Sequence, residues 1–207
     1  MSDLTNAIFS AAQALPEGGI VSPKEFLHLG SRYAVDQTLT RLTREGKLLR
    51  VSRGAYVLPV EGKFGSRAPS TESVVQAIEA QSGEIIVQNG AAAANALGLT
   101  TQVPTREVFL TSGASRTLQL GKRVVELKHA TCWQLGLGNR PAGMAIRALW
   151  WLGPEQAQPA LKILHKKLAM AEWDVLRAVR ASLPSWMARA VSQINEISDM
   201  DEIGANA

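Results

Sequence analysis

The sequence contains very little of what a disulfide scaffold or a metal site needs. Cys132 is the only cysteine, so the chain can form no internal disulfide. The three histidines are scattered and show no metal-ligand spacing with one another or with the cysteine. We therefore expect no metal site and no cofactor. A single cysteine is also the usage expected of a reduced, cytosolic protein.

Long apolar runs are missing as well. A membrane-spanning helix needs about 18 or more apolar residues, and the longest apolar stretches, 91–99 and 148–153, are far shorter. The N-terminus carries no charged-then-apolar leader. These features predict a cytoplasmic protein without a membrane partner. Hydrophobic residues still make up 46% of the 207 residues, which is enough for packed cores in one or two domains.

Positive charge is concentrated near the N-terminus. Residues 1–67 hold nine Lys and Arg against six Asp and Glu, whereas residues 68–207 hold thirteen against twelve. The net charges of these two parts are therefore +3 and +1. Residues 31–53 alone hold six basic against two acidic side chains. A local basic excess of this kind is typical of a nucleic-acid-binding surface, although it does not establish one.

The basic region contains the clearest helix signal in the chain. Ser31 is a good N-cap, and Gly46 stands where a helix ends in a left-handed residue. At about 100° per residue, Val35, Leu39 and Leu42 fall on one face of this helix. That face is predicted to be buried. The opposite face would then present polar and basic side chains to the solvent.

A hairpin signal follows the helix directly. Two short strand-like runs, 47–52 and 55–58, are joined at Arg53 and Gly54. Glycine supplies the backbone freedom that a tight turn requires. Apolar residues alternate along both runs and can cover the helix, while Arg50 and Arg53 project outward. An arginine-tipped hairpin suits contact with a phosphate backbone.

The preceding residues complete a recognisable order of elements. Apolar spacing predicts a first helix over 3–15, and the dipeptide at 20–21 fits a third strand for the hairpin sheet. Residues 22–25, Ser-Pro-Lys-Glu, form a capping box with proline and predict a short second helix over 23–29. This order is that of a winged helix-turn-helix, which we expect over residues 1–60.

The remainder of the chain predicts a second domain. Residues 61–70 are rich in turn and coil formers and read as a linker. Residues 71–207 begin with strands among helices and become wholly helical after about residue 138. The expected fold class is therefore mixed α+β, with an N-terminal winged helix-turn-helix, a small α/β layer and a C-terminal helical region ending in a helix over 184–197.

The candidate site is the surface that a winged helix applies to DNA. The third helix enters the major groove and the hairpin lies along the backbone. Arg, Gln, Tyr, Thr and Ser side chains can contact phosphates and read base edges. No catalytic residue is predicted. The predicted DNA contacts combine the exposed helix face with the hairpin: Ser31, Arg32, Tyr33, Gln37, Thr40, Arg41, Arg44, Arg50 and Arg53.

The run from Phe26 to Tyr56 resembles the N-terminal domain of the AbiEi family of antitoxins. Members share the pattern G-S-R … V-x-Q-x-L-x-R-L … G-x-L-x-R-V-x-R-G-x-Y. The stretch from Val87 to Leu99 also looks similar to its counterpart in that family. In this chain the pattern falls on Gly30-Ser31-Arg32, Val35, Gln37, Leu39, Arg41-Leu42, Gly46, Leu48, Arg50-Val51, Arg53-Gly54 and Tyr56.

The resemblance implies a toxin–antitoxin function in phage defence. It implies a winged helix that binds double-stranded DNA at its own promoter and represses its own operon. It also implies a C-terminal domain that neutralises, or helps to neutralise, a cognate nucleotidyltransferase-like toxin, with or without a stable direct contact. Composition and periodicity by themselves predict only the DNA-binding module.

Three alternatives compete with an antitoxin. One is a stand-alone winged helix transcription regulator, and another is a winged helix that binds protein and has no DNA role. The third is a metal-dependent nuclease, because Glu126 and Lys128 have the E-x-K spacing of such enzymes. That site would need a further acid, for which Glu84 and Glu107 are the candidates. Glu and Lys two apart on a strand are more often a solvated face.

Overall fold

The computed structural model describes residues 3–63 and 65–193, which fall into two compact units. Unit 1 runs to Ile86 and takes in Gly113–Lys128, whereas unit 2 comprises Val87–Ser112 and the chain from His129 onward. Helices and short strands occur in both units, so the predicted mixed α+β class is confirmed. No described helix has both the length and the apolarity that crossing a membrane requires.

The first part of unit 1 follows the predicted order of elements. One element differs in type, because a 3-10 helix replaces the α-helix predicted over 23–29. Its hydrogen bonds span three residues, as when the N–H of Glu25 donates to the carbonyl of Ser22 at 3.1 Å. The elements are α1 (Asp3–Ala14), β1 (Ile20–Val21), the 3-10 helix (Pro23–Phe26), α2 (Arg32–Arg44), β2 (Leu49–Ser52) and β3 (Ala55–Val57).

Both predicted ends of α2 are confirmed. The Ser31 hydroxyl accepts a hydrogen bond from the N–H of Ala34 at 3.3 Å. At the other end Gly46 has φ of 71°, and its N–H donates to the carbonyl of Thr43. The N–H of Lys47 donates to the carbonyl of Leu42 at 2.9 Å. These paired bonds form a Schellman motif, which satisfies the last carbonyls of the helix and turns the chain into β2.

The hairpin forms one side of a three-stranded sheet. The strand order is β1-β3-β2, and β3 pairs antiparallel with both neighbours, for example Ile20 with Val57. Gly54 has φ of 75° in the turn between β2 and β3, which a side chain would disfavour. The predicted third strand and the predicted turn are therefore confirmed.

The core beside this sheet fixes the rotation of α2. Val35, Leu39 and Leu42, the predicted stripe, are completely buried. They pack in one cluster with Ile8 from α1 and Tyr56 from β3, together with apolar residues of β1, the 3-10 helix and the segment before β2. A helix with one fully buried face must expose the opposite face. The side chains away from the stripe are consequently set toward the solvent.

The rest of unit 1 lies on elements that come later in the chain. A hairpin occupies most of the predicted linker over 61–70. Two elements also contact the three-stranded sheet: α3 lies against β1 and β8 lies against β2. The predicted division into 1–60, 61–70 and 71–207 therefore places its boundaries elsewhere than the compact units do. The added elements are β4 (Val60–Gly62), β5 (Gly65–Arg67), α3 (Thr71–Ser82), β8 (Arg116–Leu120) and β9 (Arg123–His129).

Unit 2 is mostly helical, as predicted for the end of the chain. Its α4 packs closely on α6: a Cβ atom at Gly90 would lie 2.4 Å from the carbonyl oxygen of Arg147. The last helix occupies 185–193, and the part predicted beyond 193 lies outside the described residues. The other elements are β6 (Ile86–Gln88), α4 (Gly90–Ala96), β7 (Glu107–Thr111), α5 (Cys132–Leu135), α6 (Pro141–Leu152), α7 (Pro154–Lys167), α8 (Met170–Ala178) and a 3-10 helix (Arg180–Ser182).

Three tryptophans gather on the surface of unit 2. Trp150 meets Trp133 edge to face, with ring centroids 5.1 Å apart, and stacks on Trp186 at 6.3 Å. Trp150 is nevertheless 47% exposed, and its neighbour Trp151 is 42% exposed. Trp173, by contrast, is buried in the main core of the unit. The aromatic trio of Trp133, Trp150 and Trp186 thus leaves a large apolar ring in contact with solvent.

The helix α6 carries a buried charged side chain, Arg147. Arg147 is only 1% exposed, and this burial lowers the pKa of its guanidinium to about 10, so the group is still charged at neutral pH. Its Nη1 donates to the carbonyls of Gln134 at 3.1 Å and Gly138 at 2.9 Å. Its Nε and Nη2 are buried without a partner among the described residues. The guanidinium therefore holds the loop before α6 while carrying a desolvated charge.

Replacement of Arg147 should separate the stabilising effect of its packing and hydrogen bonds from the cost of burying its charge. Arg147→Ala removes the buried stem and leaves two carbonyls unsatisfied, so we expect the free energy of unfolding to fall by about 2–4 kcal/mol. Arg147→Met leaves the same carbonyls without their donor, but it keeps the apolar volume and removes the desolvated charge, so its loss should be smaller than that of the alanine variant. Urea denaturation of the three proteins measures both changes. Equal stability of the alanine variant and the wild type would contradict the assigned role.

Candidate nucleic-acid interface

Every residue predicted to contact DNA lies at the surface of unit 1. Two of these residues lie at the start of α2, five lie along the helix, and two lie on the hairpin formed by β2 and β3. None of them is part of the core that fixes α2. The exposed residues are Ser31, Arg32, Tyr33, Gln37, Thr40, Arg41, Arg44, Arg50 and Arg53.

Four of these side chains form a single face, which we call the α2 face. At about 100° per residue, Tyr33, Gln37, Thr40 and Arg44 lie within about 60° of one another and opposite the buried stripe. Tyr33 is 74% exposed. The side chains of Gln37 and Arg44 make no hydrogen bond or ion pair to other described residues. The α2 face therefore offers an amide and a guanidinium that are free to bind an external partner.

The hydroxyl of Thr40 is partly committed inside the helix. Its Oγ1 donates to the carbonyl of Asp36 at 2.7 Å, a common arrangement for threonine within a helix. The oxygen can still accept a hydrogen bond from a ligand. As a donor, however, Thr40 already has a partner, so within the α2 face it is best suited to accepting.

Arg32 and Arg41 flank the α2 face and are engaged with neighbouring residues. The Nε of Arg32 lies 2.8 Å from a carboxylate oxygen of Asp36. Arg41 donates from Nη2 to the hydroxyl of Thr5 in α1, and its Nε is 4.0 Å from Glu45. Arg41 thus ties α2 to α1, a contact that helical periodicity alone could not reveal. The α2 face contains Arg44 but not Arg41.

The two arginines of the hairpin are uncommitted. Arg50 lies on β2 and Arg53 in the turn, and both are exposed. Neither makes an ion pair within the part of the chain that the structure describes. A register irregularity between Arg50 and Ser52 accompanies the turn. Such bulges commonly redirect side chains at the end of a hairpin.

A groove of about 570 Å³ brings Arg32 and Arg53 together with a residue that was not predicted. The additional cation is Lys24, in the 3-10 helix. The groove runs between the start of α2, the hairpin turn and the end of α3. Lys24 lies within the Ser-Pro-Lys-Glu capping box, a pattern that indicates helix initiation and by itself gives no sign of a charged groove. The lining residues are Ser22, Pro23, Lys24, Glu25, Arg32, Arg53, Gly54, Gln81 and Ser82.

The residues of the nuclease alternative make other contacts. Glu126 lies 3.2 Å from Lys128, and Glu84 lies 2.8 Å from Arg116. Among residues 3–63 and 65–193 no group of three or more His, Cys, Asp or Glu is placed to hold a metal ion. A magnesium-dependent site would need such a group of oxygen ligands. The arrangement around Glu126 is that of a paired surface carboxylate.

Comparison with known proteins identifies one family. The model of DUF6088, a family of unknown function, matches residues 7–171. That match covers the α2 face, the hairpin and most of unit 2. No curated protein and no solved structure matches the chain.

The contacts of Arg41 and Arg44 predict different effects of their replacement on stability. Arg41→Ala removes a link between α2 and α1, so we expect the free energy of unfolding to fall by about 0.5–1.5 kcal/mol. Arg44→Ala removes a solvated side chain and should change it by less than about 0.5 kcal/mol. Thermal or urea unfolding compares the two directly. Equal losses would show that the contact between Arg41 and Thr5 contributes nothing to the fold.

Proposed function

We propose that this chain, which belongs to the DUF6088 family of unknown function, is a DNA-binding regulator whose unit 1 acts as a winged helix-turn-helix. The observation that carries the proposal is the α2 face beside a hairpin whose two arginines make no ion pair to other described residues. The order of elements supports it, since two helical segments precede α2 and a hairpin follows. The strand order β1-β3-β2 is also the one that such a module requires.

The chemistry of the α2 face suits a major groove. An α-helix fits the width of that groove, and base edges are read there by paired donors and acceptors. Arg44 can donate two hydrogen bonds to a guanine, and Gln37 can bond an adenine through its amide. Tyr33 and Thr40 can contact a phosphate or a thymine. Base discrimination would come from the uncommitted pair Gln37 and Arg44.

The hairpin would supply affinity rather than sequence discrimination. Arg50 and Arg53 lie outside the core and carry no competing carboxylate among the described residues. Cations in this position neutralise phosphates and release counterions, which strengthens binding without regard to sequence. In this proposal the α2 face discriminates between base sequences, and the hairpin raises the affinity for DNA of any sequence.

We further propose that the regulator is an antitoxin. This part rests on the resemblance of residues 26–56 to the AbiEi family, which implies repression of its own operon and opposition to a nucleotidyltransferase-like toxin. In unit 2 the aromatic trio leaves an apolar surface centred on Trp150, which is 47% exposed, and aromatic side chains are enriched at protein interfaces. It is the surface we assign to a toxin contact. A stand-alone regulator is the alternative and would require no toxin.

DNA binding is tested with duplexes and two arginine variants. We expect the wild type to bind the segment upstream of its own reading frame with a strong salt dependence. Arg44→Ala should weaken that binding by about 1–3 kcal/mol if Arg44 reads a guanine. Arg189→Ala, an exposed arginine of unit 2, serves as the matched control and should change nothing. Fluorescence anisotropy with upstream and mixed-sequence duplexes measures all three.

Two results would count against this assignment. Equal affinity of the wild type and Arg44→Ala for both duplexes would remove the α2 face from base recognition. Absence of salt-dependent binding by the wild type to any duplex would leave the winged helix as a protein-binding module instead.

The antitoxin role is tested in growing cells. We expect the reading frame beside this gene to encode a nucleotidyltransferase-like protein that arrests growth, and co-expression of this chain to relieve the arrest. Trp150→Ala should reduce the relief because it removes the exposed ring of the aromatic trio. Ile163→Ala, an exposed apolar residue of α7, is the control and should retain it. If the protein encoded by the adjacent reading frame does not arrest growth, the stand-alone regulator is favoured.

A further inference from the structure

The residues that line the groove beside α2 carry a net positive charge. Lys24, Arg32 and Arg53 come from three separate elements and line it together with one carboxylate, Glu25. The lining therefore has three basic groups against one acidic group, a net of +2. Lys24 and Arg53 make no ion pair to other described residues. Convergent cations without carboxylate partners are the usual means of holding a phosphate.

The one carboxylate in the groove is already held by other donors. Glu25 Oε1 accepts from the N–H of Ser22 at 3.0 Å and from Nε2 of Gln81 at 3.1 Å. These bonds direct the carboxylate toward the capping box and α3. Lys24 and Arg53 consequently remain available to an anion that enters the groove.

We propose that this groove holds a phosphate of the DNA backbone beside the major groove that receives α2. This inference rests on the proposed DNA-binding function and adds a defined anchoring site with Lys24 as a contact. Arg32 provides the continuity, because it lines the groove and is followed at once by Tyr33 of the α2 face. A duplex lying on that face would place its flanking backbone at Arg32.

The lining favours a backbone phosphate over a free nucleotide. A groove of about 570 Å³ has room for a phosphodiester and several waters, each of which occupies about 30 Å³ in the liquid. The described residues that line it include no aromatic side chain and no large apolar side chain on which a base could stack. The groove therefore offers charge for a phosphate and no surface for a nucleobase.

Asp36 competes with the phosphate for Arg32. Its carboxylate lies 2.8 Å from Arg32 Nε, and both side chains are about half exposed. In the free protein this pair holds the guanidinium on the side of α2. Removal of the negative charge should free Arg32 for the backbone, so Asp36 is a residue whose neutralisation strengthens binding.

The first test measures the salt dependence of duplex binding. For Lys24→Ala we expect the slope of log K against log salt concentration to fall by about one, as for the loss of one phosphate contact. Lys122→Ala, an exposed lysine in the turn between β8 and β9, is the matched control and should leave the slope unchanged. The probe is the upstream duplex used above, titrated from low to physiological salt.

The second test seeks a gain of affinity, which misfolding cannot produce. Asp36→Asn should tighten binding to the same duplex roughly threefold to tenfold, because a repulsive carboxylate is neutralised and Arg32 is released. The gain should become smaller when Arg32→Ala is added, since the freed guanidinium is then absent and only the loss of repulsion remains. An unchanged or weakened affinity of Asp36→Asn would overturn the role of Arg32 in the groove.

The outcomes distinguish this inference from the proposed function. If the wild type binds duplex with a strong salt dependence and Lys24→Ala keeps the full slope, the groove is not a phosphate site although the DNA function stands. If the wild type binds no duplex, the DNA function itself fails. Calorimetry with ATP and with inorganic phosphate completes the test. Micromolar binding that Lys24→Ala abolishes would assign the groove to a free phosphate ligand and overturn its assignment to DNA.

Discussion

The buried stripe of α2 is the constraint on which the candidate site depends. Val35, Leu39 and Leu42 are fully buried against α1 and β3, and rotation of the helix would expose them at a cost of about 1.5–3 kcal/mol for each side chain. Polar reading residues need such rigidity, since they contribute base discrimination only when their positions are held. The apolar stripe thus determines the position of Gln37 and Arg44 without containing either.

A second constraint acts at the hairpin. The Schellman motif at Gly46 turns the chain directly from α2 into β2, so the hairpin follows the helix with only a few residues between them. Pairing of β3 with β1 then brings the turn close to the capping box. The proximity of Lys24, Arg32 and Arg53 follows from these two backbone features. Their convergence is a product of strand pairing and would survive substitution of any single cation.

Much of this could be predicted locally. Ser31 and Gly46 marked the ends of α2, the 3.6-residue period marked its buried face, and Arg53-Gly54 marked the turn. Each signal acts over a few residues, and each is confirmed. The extent of unit 1 was not predicted, because β8 reaches β2 from more than sixty residues away along the chain. No local pattern in 113–128 indicates which sheet it will join.

The sequence by itself determined which residues of α2 are buried and which are exposed, because that choice depends on a short-range period and on caps at both ends. Only the tertiary structure decided how the exposed cations are used. Arg41 was indistinguishable from Arg44 until α1 placed Thr5 beside it, and Lys24 had no link to Arg53 until strand pairing closed the groove. Side chains that are far apart in the sequence become neighbours only through tertiary packing. A sequence pattern contains no information on the distances between them.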